Sequence, residues 1–312
     1  MGNLLKEKVA IVTGAGRGIG RAHALAMAEQ GAKVVVNDPG VGLEGSGFNK
    51  SPADGVVAEI RGKGEEAVAN YDSVATSEGA ANVIKTAIDN FGRLDILVNN
   101  AGLNPIGEMI WELTDRAWDE LVKVHLYGHF YCAREAAKIF IQQLSGRIIN
   151  TSSTEGLGKG TTPRVSGCHY VAAKEGIVGL TRQLAKEMRS YGTTTVNCIR
   201  PGGSTRGTAM VEQRRFKADV EKFGREEAER IQAEWLRVRL PEVNSPLVVF
   251  LASDAADNVN GCVFDTGHRG LGGLCIYRDP PEIEATVWKD GIWTPEELVE
   301  ILPKTLTSGK VR

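Results

Sequence analysis

Apolar and polar positions fall into blocks that repeat along the chain. Val9-Ala10-Ile11-Val12 is a continuous apolar run, and residues 21–28 after it have helical composition. Lys33-Val34-Val35-Val36-Asn37 reads as a second strand, followed by a loop rich in glycine and serine over residues 39–52. The spacing predicts a helix over 53–63 with Val56, Val57 and Ile60 on its apolar face, then a short strand at 67–71. A second helical stripe runs through Val83, Ile84, Ala87, Ile88 and Phe91, and Leu94-Asp95-Ile96-Leu97-Val98 is a fourth strand. A long helix is expected over 115–143, strand five over 147–151 and strand six over 195–199. Between the last two lies a helix over 169–188, striped by Ile177, Leu180, Leu184 and Met188; strand seven is expected at 261–265. Near-continuous apolar strands alternating with helices predict an α/β fold with a parallel sheet covered on both faces.

Two segments fall outside this alternation. Residues 204–240 form a charged helical insertion with apolar faces from Phe216, Val220, Phe223, Ile231 and Trp235. It follows a strand's carboxyl end, where open α/β sheets place ligands, so the expectation is a substrate cover, with a solvated helical pair as the alternative. Residues 275–312 carry Trp288, Trp293 and a helix signal at Thr294-Pro295, and read as an extension packing on the domain or on a neighbouring subunit. The expected organisation is one doubly wound, Rossmann-type domain over 1–274 followed by this extension.

The first apolar run leads into Thr13-Gly14-Ala15-Gly16-Arg17-Gly18-Ile19-Gly20. Strand, glycine turn and helix in that order form the context in which a dinucleotide pyrophosphate is held against helix N–H groups. Asp38 ends the second strand, about where an acid that contacts a ribose 2′-OH is expected. Taken alone it would equally begin an Asp-Pro-Gly turn.

Composition narrows the field. The chain has 312 residues, 42% hydrophobic and 24% charged, which is ordinary for a globular protein. A net charge of −2 gives no basis for nucleic acid or an anionic membrane as partner. No apolar run reaches membrane-spanning length, the start leaves no room for a signal peptide, and the end is no peroxisomal address, so a cytoplasmic location is expected. The five cysteines (132, 168, 198, 262 and 275) are scattered, as for reduced thiols. His125 and His129 stand four apart on a helix, but no third ligand suggests itself, and no metal is expected.

The chemistry-bearing residues are Ser152-Ser153 after strand five and Tyr170 with Lys174 on the next helix. Positions i and i+4 share a face, so phenol and amine point the same way. An ammonium beside a phenol favours the phenolate and is expected to lower its pKa into a useful range.

With the glycine turn, Asn99-Asn100-Ala101-Gly102, Ser153, Tyr170, Lys174 and Pro201-Gly202, the sequence resembles the short-chain dehydrogenase/reductase family over nearly its full length. The resemblance implies that Tyr170 is the acid/base, Lys174 holds the nicotinamide ribose, and Ser153 bonds the substrate oxygen. It places Gly14, Arg17, Gly18, Ile19, Gly20, Asp38, Asp72, Ser73, Asn99, Ala101, Gly102, Tyr170, Lys174, Pro201, Gly202 and Thr205 at the cofactor, with Thr208 competing for the last position. Two features depart from the family. Seventeen residues separate Ser153 from Tyr170, implying an extra loop over 161–167, and His125 stands where the family has a catalytic-relay asparagine.

Val34-Val35-Val36-Asn37-Asp38, Ala67-Val68-Ala69-Asn70-Tyr71-Asp72-Ser73-Val74 and Val124-His125-Leu126-Tyr127-Gly128 look like the 3-hydroxyacyl-CoA dehydrogenase domain of type-two multifunctional β-oxidation enzymes, which also carry this histidine. The expected function is an NAD-dependent dehydrogenase acting on a 3-hydroxyacyl-CoA, NAD being preferred because Asp38 would repel a 2′-phosphate. A steroid or other apolar secondary alcohol is the alternative substrate. Basic residues at the site mouth, from Arg206, Arg214 and Arg215, would favour CoA. A non-catalytic NAD-binding sensor or scaffold is the reading from another class. A homodimer or homotetramer is expected by resemblance.

Overall fold

The structure is a computed structural model that describes residues 3–42, 45–103, 108–157, 167–206, 208–237, 239–266, 274–277, 301 and 304. Among these, the apolar runs become eight strands: β1 (Val9–Thr13), β2 (Lys33–Asn37), β3 (Ala67–Asn70), β4 (Ile96–Asn99), β5 (Arg147–Thr151), β6 (Thr195–Pro201), β7 (Val263–Thr266) and β8 (Leu274–Ile276). They form one sheet in the order β3-β2-β1-β4-β5-β6-β7-β8. All neighbours are parallel except the last pair, where β8 runs antiparallel along β7. β1 is flanked by β2 on one side and, after the chain crosses back from β3, by β4 on the other, and that reversal opens a crevice at the strands' carboxyl ends.

Nine α-helices are described: α1 (Gly18–Glu29), α2 (Ser51–Gly62), α3 (Ser77–Phe91), α4 (Asp115–Val122), α5 (Gly128–Gln143), α6 (Cys168–Met188), α7 (Ala209–Phe223), α8 (Arg225–Arg237) and α9 (Ser245–Ala252). One apolar layer joins Met27 of α1, Ile60 of α2 and Val248 of α9 to Ala10, Val34 and Ile96 of the sheet. The opposite layer joins Val83 of α3, Phe140 of α5 and Met188 of α6 to Ile11, Leu97 and Ile148. Adjacent strand residues face opposite layers, which is why the strands read as continuous apolar runs.

Local chemistry sets several helix ends. Thr76 caps α3 by accepting the Gly79 N–H at 3.0 Å, and Gly92 ends it in the left-handed region at φ 75°. Thr114 caps α4 by accepting the Ala117 N–H at 3.1 Å.

Three features differ from the sequence expectation. The helix over 115–143 is interrupted by a π-helical stretch, Lys123–Tyr127, which joins α4 to α5 and contains His125. α9 (Ser245–Ala252) was not separable in the sequence, because SPLVVFLA is apolar on every side and has no period to read. β7 ends one residue later than expected, and β8 adds an edge beside it.

Residues 204–240 do form a helical pair, α7 and α8. The chain divides into two compact units, 1–277 and 278–312. In the second only Ile301 and Lys304 are described, so Trp288, Trp293 and the helix signal at Thr294-Pro295 lie outside the described residues. The same holds for 161–166 of the expected extra loop.

Candidate active site

The glycine turn is held to the end of β4 by hydrogen bonds between side chains and main chain. Asn100 donates from Nδ2 to the Thr13 carbonyl at 2.9 Å and to the Gly14 carbonyl at 3.3 Å. The Thr13 hydroxyl accepts the N–H groups of Asn100 and Ala101, both at 3.0 Å. Gly20 packs so tightly beneath the turn that a Cβ there would lie 2.3 Å from the Gly14 carbonyl oxygen. Unlike α3 and α4, α1 starts with no capping side chain and no acid in its first turn. Its first N–H groups are therefore presented to an anion, the donor set a dinucleotide pyrophosphate requires.

Asp38 is fixed beside this turn. Its Oδ2 accepts the Gly16 N–H at 2.9 Å and its Oδ1 accepts the Gly40 N–H at 2.7 Å, while Arg17 stays exposed. Asp72 is braced at the end of β3, receiving hydrogen bonds from Asn70 at 2.8 Å and Asn82 at 3.2 Å. Ser73, next to it, is exposed and accepts the Ala75 N–H at 3.3 Å.

From the opposite side, Thr205 places its Cγ2 3.2 Å from where a Cβ on Gly18 would stand. Ile19 packs likewise against Gly203, and Gly202 is bonded to Thr266 at 3.1 Å. Thr208 is occupied in closing a turn, donating to the Thr205 carbonyl and accepting the Thr205 N–H. Of the two threonines, it is Thr205 that meets the glycine turn.

The catalytic candidates converge at the start of α6. Ser153 stands close enough to the Tyr170 phenol to favour its ionised form. The Lys174 amine donates to the Thr151 carbonyl at 2.8 Å and lies 5.6 Å from the centre of the Tyr170 ring. Ser152 anchors the same turn by donating to the Lys174 carbonyl at 2.7 Å.

One electrostatic expectation is reversed here. Burial pushes the Tyr170 phenol up from its ordinary value, opposed by Ser153, rather than being held down by Lys174. The amine is itself pushed down to about 8 by burial, and its short contact is to a carbonyl, not to the phenol oxygen.

His125 stands against Tyr170 edge to face, ring centres 5.3 Å apart. Its Nε2 is 2.9 Å from the Leu103 nitrogen and 3.0 Å from the Leu103 oxygen. The ring occupies the space a Cβ on Gly102 would need, with Cε1 only 2.5 Å from that point. Burial first, and Lys174 second, hold this imidazole well below its ordinary pKa, so it is neutral. Nε2 is thus the atom that meets the Leu103 main chain, while the buried Nδ1 has no partner among the described residues. The π-helical bulge turns the ring into this position, a common use of such bulges.

Asn99, expected to support the cofactor, directs its side chain into the scaffold. It is 1% exposed, and its amide serves the scaffold by donating to Asn150 at 3.0 Å and to the His129 carbonyl at 3.4 Å. The His129 ring in turn accepts the Thr151 N–H at 3.3 Å. Among the described residues, no group of three or more His, Cys, Asp or Glu side chains is placed to hold a metal ion. Thr13 and Asn100, which pin the turn, were not singled out from the sequence, although both lie inside its motifs.

A doubly wound sheet with a dinucleotide cradle at its reversal point, and a serine, tyrosine and lysine facing it, defines an oxidoreductase of the nicotinamide-dependent kind. The chain belongs to the short-chain dehydrogenase/reductase family: the family model for short chain dehydrogenase matches residues 8–219. It acts on CH–OH donors, as that family does.

A short chain dehydrogenase of known crystal structure from Mycobacterium avium superposes with a TM-score of 0.78 at 39% identity, covering 99% of this chain and 97% of that one. A hydroxyacyl-CoA dehydrogenase of Mycobacterium tuberculosis is 36% identical over 96% of this chain and 88% of its own length. The peroxisomal multifunctional enzyme type 2 of Mus musculus is 39% identical over 86% of this chain, but the match spans only 32% of that enzyme. The resemblance to the type-two multifunctional enzymes is thus present across most of the dehydrogenase chain.

Proposed function

We propose that this protein is an NAD-dependent dehydrogenase that oxidises the 3-hydroxyl of an acyl-CoA to a ketone. The observation that carries the chemistry is the convergence at one point of Tyr170, the Lys174 amine over its ring and His125 edge-on against it, with Ser153 close enough to favour the ionised phenol. In this reading Ser153 donates to the substrate oxygen and Tyr170 takes the hydroxyl proton through its phenol oxygen. Tyr170 takes that proton as its phenolate, and the Lys174 cation over the same ring supports the anionic form that the proton then neutralises. A bound nicotinamide supplies the hydride acceptor.

Asp38 supports NAD over NADP. A carboxylate held by two backbone N–H groups cannot swing away, and a 2′-phosphate beside it would meet a repulsion of ~1–4 kcal/mol. Arg17 is exposed, and Arg206 donates to the Val41 carbonyl at 3.0 Å, so neither is fixed to neutralise that phosphate.

The acyl-CoA substrate is supported by the relative named hydroxyacyl-CoA dehydrogenase, which matches nearly the whole chain. The basic side chains weighed for CoA give less support. Arg215 lies over the Trp235 ring and pairs with Asp219 at 3.6 Å, Arg206 is committed to Val41, and the Arg214 side chain lies outside what is described.

The test is initial-rate turnover with NAD against 3-hydroxyacyl-CoAs of several chain lengths and a set of steroid alcohols. Acyl-CoA kcat/KM is expected to exceed that of every steroid. Turnover of steroids alone would overturn the substrate, and NAD binding without turnover of any alcohol would overturn the catalytic reading.

A further inference from the structure

Arg200 is the penultimate residue of β6 and is 2% exposed. A cation at that depth is tolerated only where protein groups replace its water. Its Nη1 donates to the Ser153 carbonyl at 3.1 Å, and its Nη2 donates to the Glu175 carboxylate, with Oε2 at 3.1 Å. The guanidinium lies 4.8 Å from the centre of the Tyr277 ring.

Tyr277 is itself fixed just past β8. Its hydroxyl donates to Asp265 at 3.1 Å and its N–H donates to the Val263 carbonyl at 2.9 Å. One guanidinium therefore gathers the turn after β5, the catalytic helix α6 and the antiparallel edge of the sheet. Two of its partners adjoin the reaction centre, because Ser153 stands by the Tyr170 phenol and Glu175 follows Lys174 in sequence.

Ser153 has little other restraint. Its carbonyl also accepts the Gly156 N–H at 3.1 Å, and its hydroxyl accepts the Glu155 N–H at 3.2 Å, both contacts within its own turn. Ser152 ties the start of this turn to β6, its N–H donating to the Ile199 carbonyl at 2.8 Å, and Arg200 extends that tie to the Ser153 carbonyl.

We propose that Arg200, held by Tyr277, is a positioning residue that fixes the Ser153 backbone and thereby the direction from which the Ser153 hydroxyl reaches Tyr170. This rests on the assignment of Ser153 and Tyr170 to the reaction. Lysine cannot substitute, since a single ammonium lacks the planar fork that reaches a carbonyl and a carboxylate together.

The experiment compares Arg200→Gln, Arg200→Lys, Tyr277→Leu and Tyr277→Phe in the full chain. It reads kcat, KM, NAD affinity by fluorescence titration, and the pH profile of kcat. Arg200→Gln is expected to lower kcat by about 10²-fold, the scale of a small misplacement at a reacting centre, with NAD affinity unchanged. Arg200→Lys should fail to rescue it. Tyr277→Leu should give a smaller loss of the same kind, and Tyr277→Phe, which keeps the ring, should stay near wild type.

The pH profile separates positioning from general damage. Around the phenol stand Ser153, which favours its ionised form, together with Glu155, His125 and Lys174. Loosening Ser153 weakens its hold on the ionised phenol, so the ascending limb of kcat moves to higher pH. Wild-type kcat in Arg200→Gln, or a loss with an unmoved limb, would overturn the proposal. If Arg200→Gln does not fold, an unmoved limb in folded Tyr277→Leu overturns it equally. Undiminished turnover in Tyr170→Phe would instead refute the underlying site assignment.

Discussion

The two sides of the crevice are built from different materials. Around β1 and β2 the site is mainly backbone: a glycine turn, the uncapped start of α1, and carbonyls and N–H groups pinned by Thr13, Asn100 and Asp38. Around β5, β6 and α6 it is buried side chains, namely Lys174, His125 and Arg200, each at most 3% exposed. Backbone groups can hold any anion of the right shape and change little with pH. Buried ionisable side chains carry chemistry, and they cost stability that the surrounding packing must offset.

The largest effect should come from the side-chain half. Tyr170→Phe removes the proton acceptor and is expected to lower turnover by ~10²–10⁴-fold, while NAD titration stays near wild type. A parallel loss of NAD affinity would show that the two halves are not separable in this way.

Next comes the cost of burying Lys174. Its folded value of about 8 lies below the ordinary 10.5, so between these pH values the unfolded chain binds a proton that the folded one does not. Stability should therefore rise with pH through this window, the full penalty, about 3 kcal/mol, being present below pH 8. Denaturant unfolding of wild type and Lys174→Met at pH 7 and pH 10 tests this. Identical pH dependence in the two would remove the claim that the amine titrates in the core.

In the backbone half, Gly20→Ala forces a methyl to 2.3 Å from the Gly14 carbonyl oxygen. It should cost about 1–3 kcal/mol in stability and weaken NAD binding before it alters kcat at saturating cofactor. Calorimetric melting and a cofactor titration check the two effects, and unchanged NAD affinity would contradict the close packing of the turn.

The smallest effect is electrostatic. Asp38→Asn keeps an acceptor but removes the charge, and should raise kcat/KM for NADP relative to NAD by about tenfold, from ~1 kcal/mol of relieved repulsion. An unchanged ratio would mean that Asp38 serves only Gly16 and Gly40.

Much of the fold was legible because its signals are local. Apolar runs such as Val34-Val35-Val36 become strands wherever both sheet faces are covered, and Tyr170 and Lys174 share a face through helical periodicity alone. The segments that escaped had no local signature. α9 is apolar all round, and β8 is a three-residue edge strand with Leu274 and Ile276 exposed. The π-helical stretch at Lys123–Tyr127 interrupts a helical period that the sequence carries without a break.

By itself, then, the sequence determined the element order, the glycine turn, the pairing of Tyr170 with Lys174 and membership of the family. Each element and each motif behind them depends on residues within about one helical turn or one strand of each other, and membership follows from the order of those motifs along the chain. Tertiary structure alone decided which asparagine serves the turn and which serves the core, that burial outweighs the lysine in setting the Tyr170 phenol, and that Arg200 meets Ser153, Glu175 and Tyr277. Those outcomes turn on solvent exclusion and on contacts between distant stretches, neither of which exists until the sheet has closed.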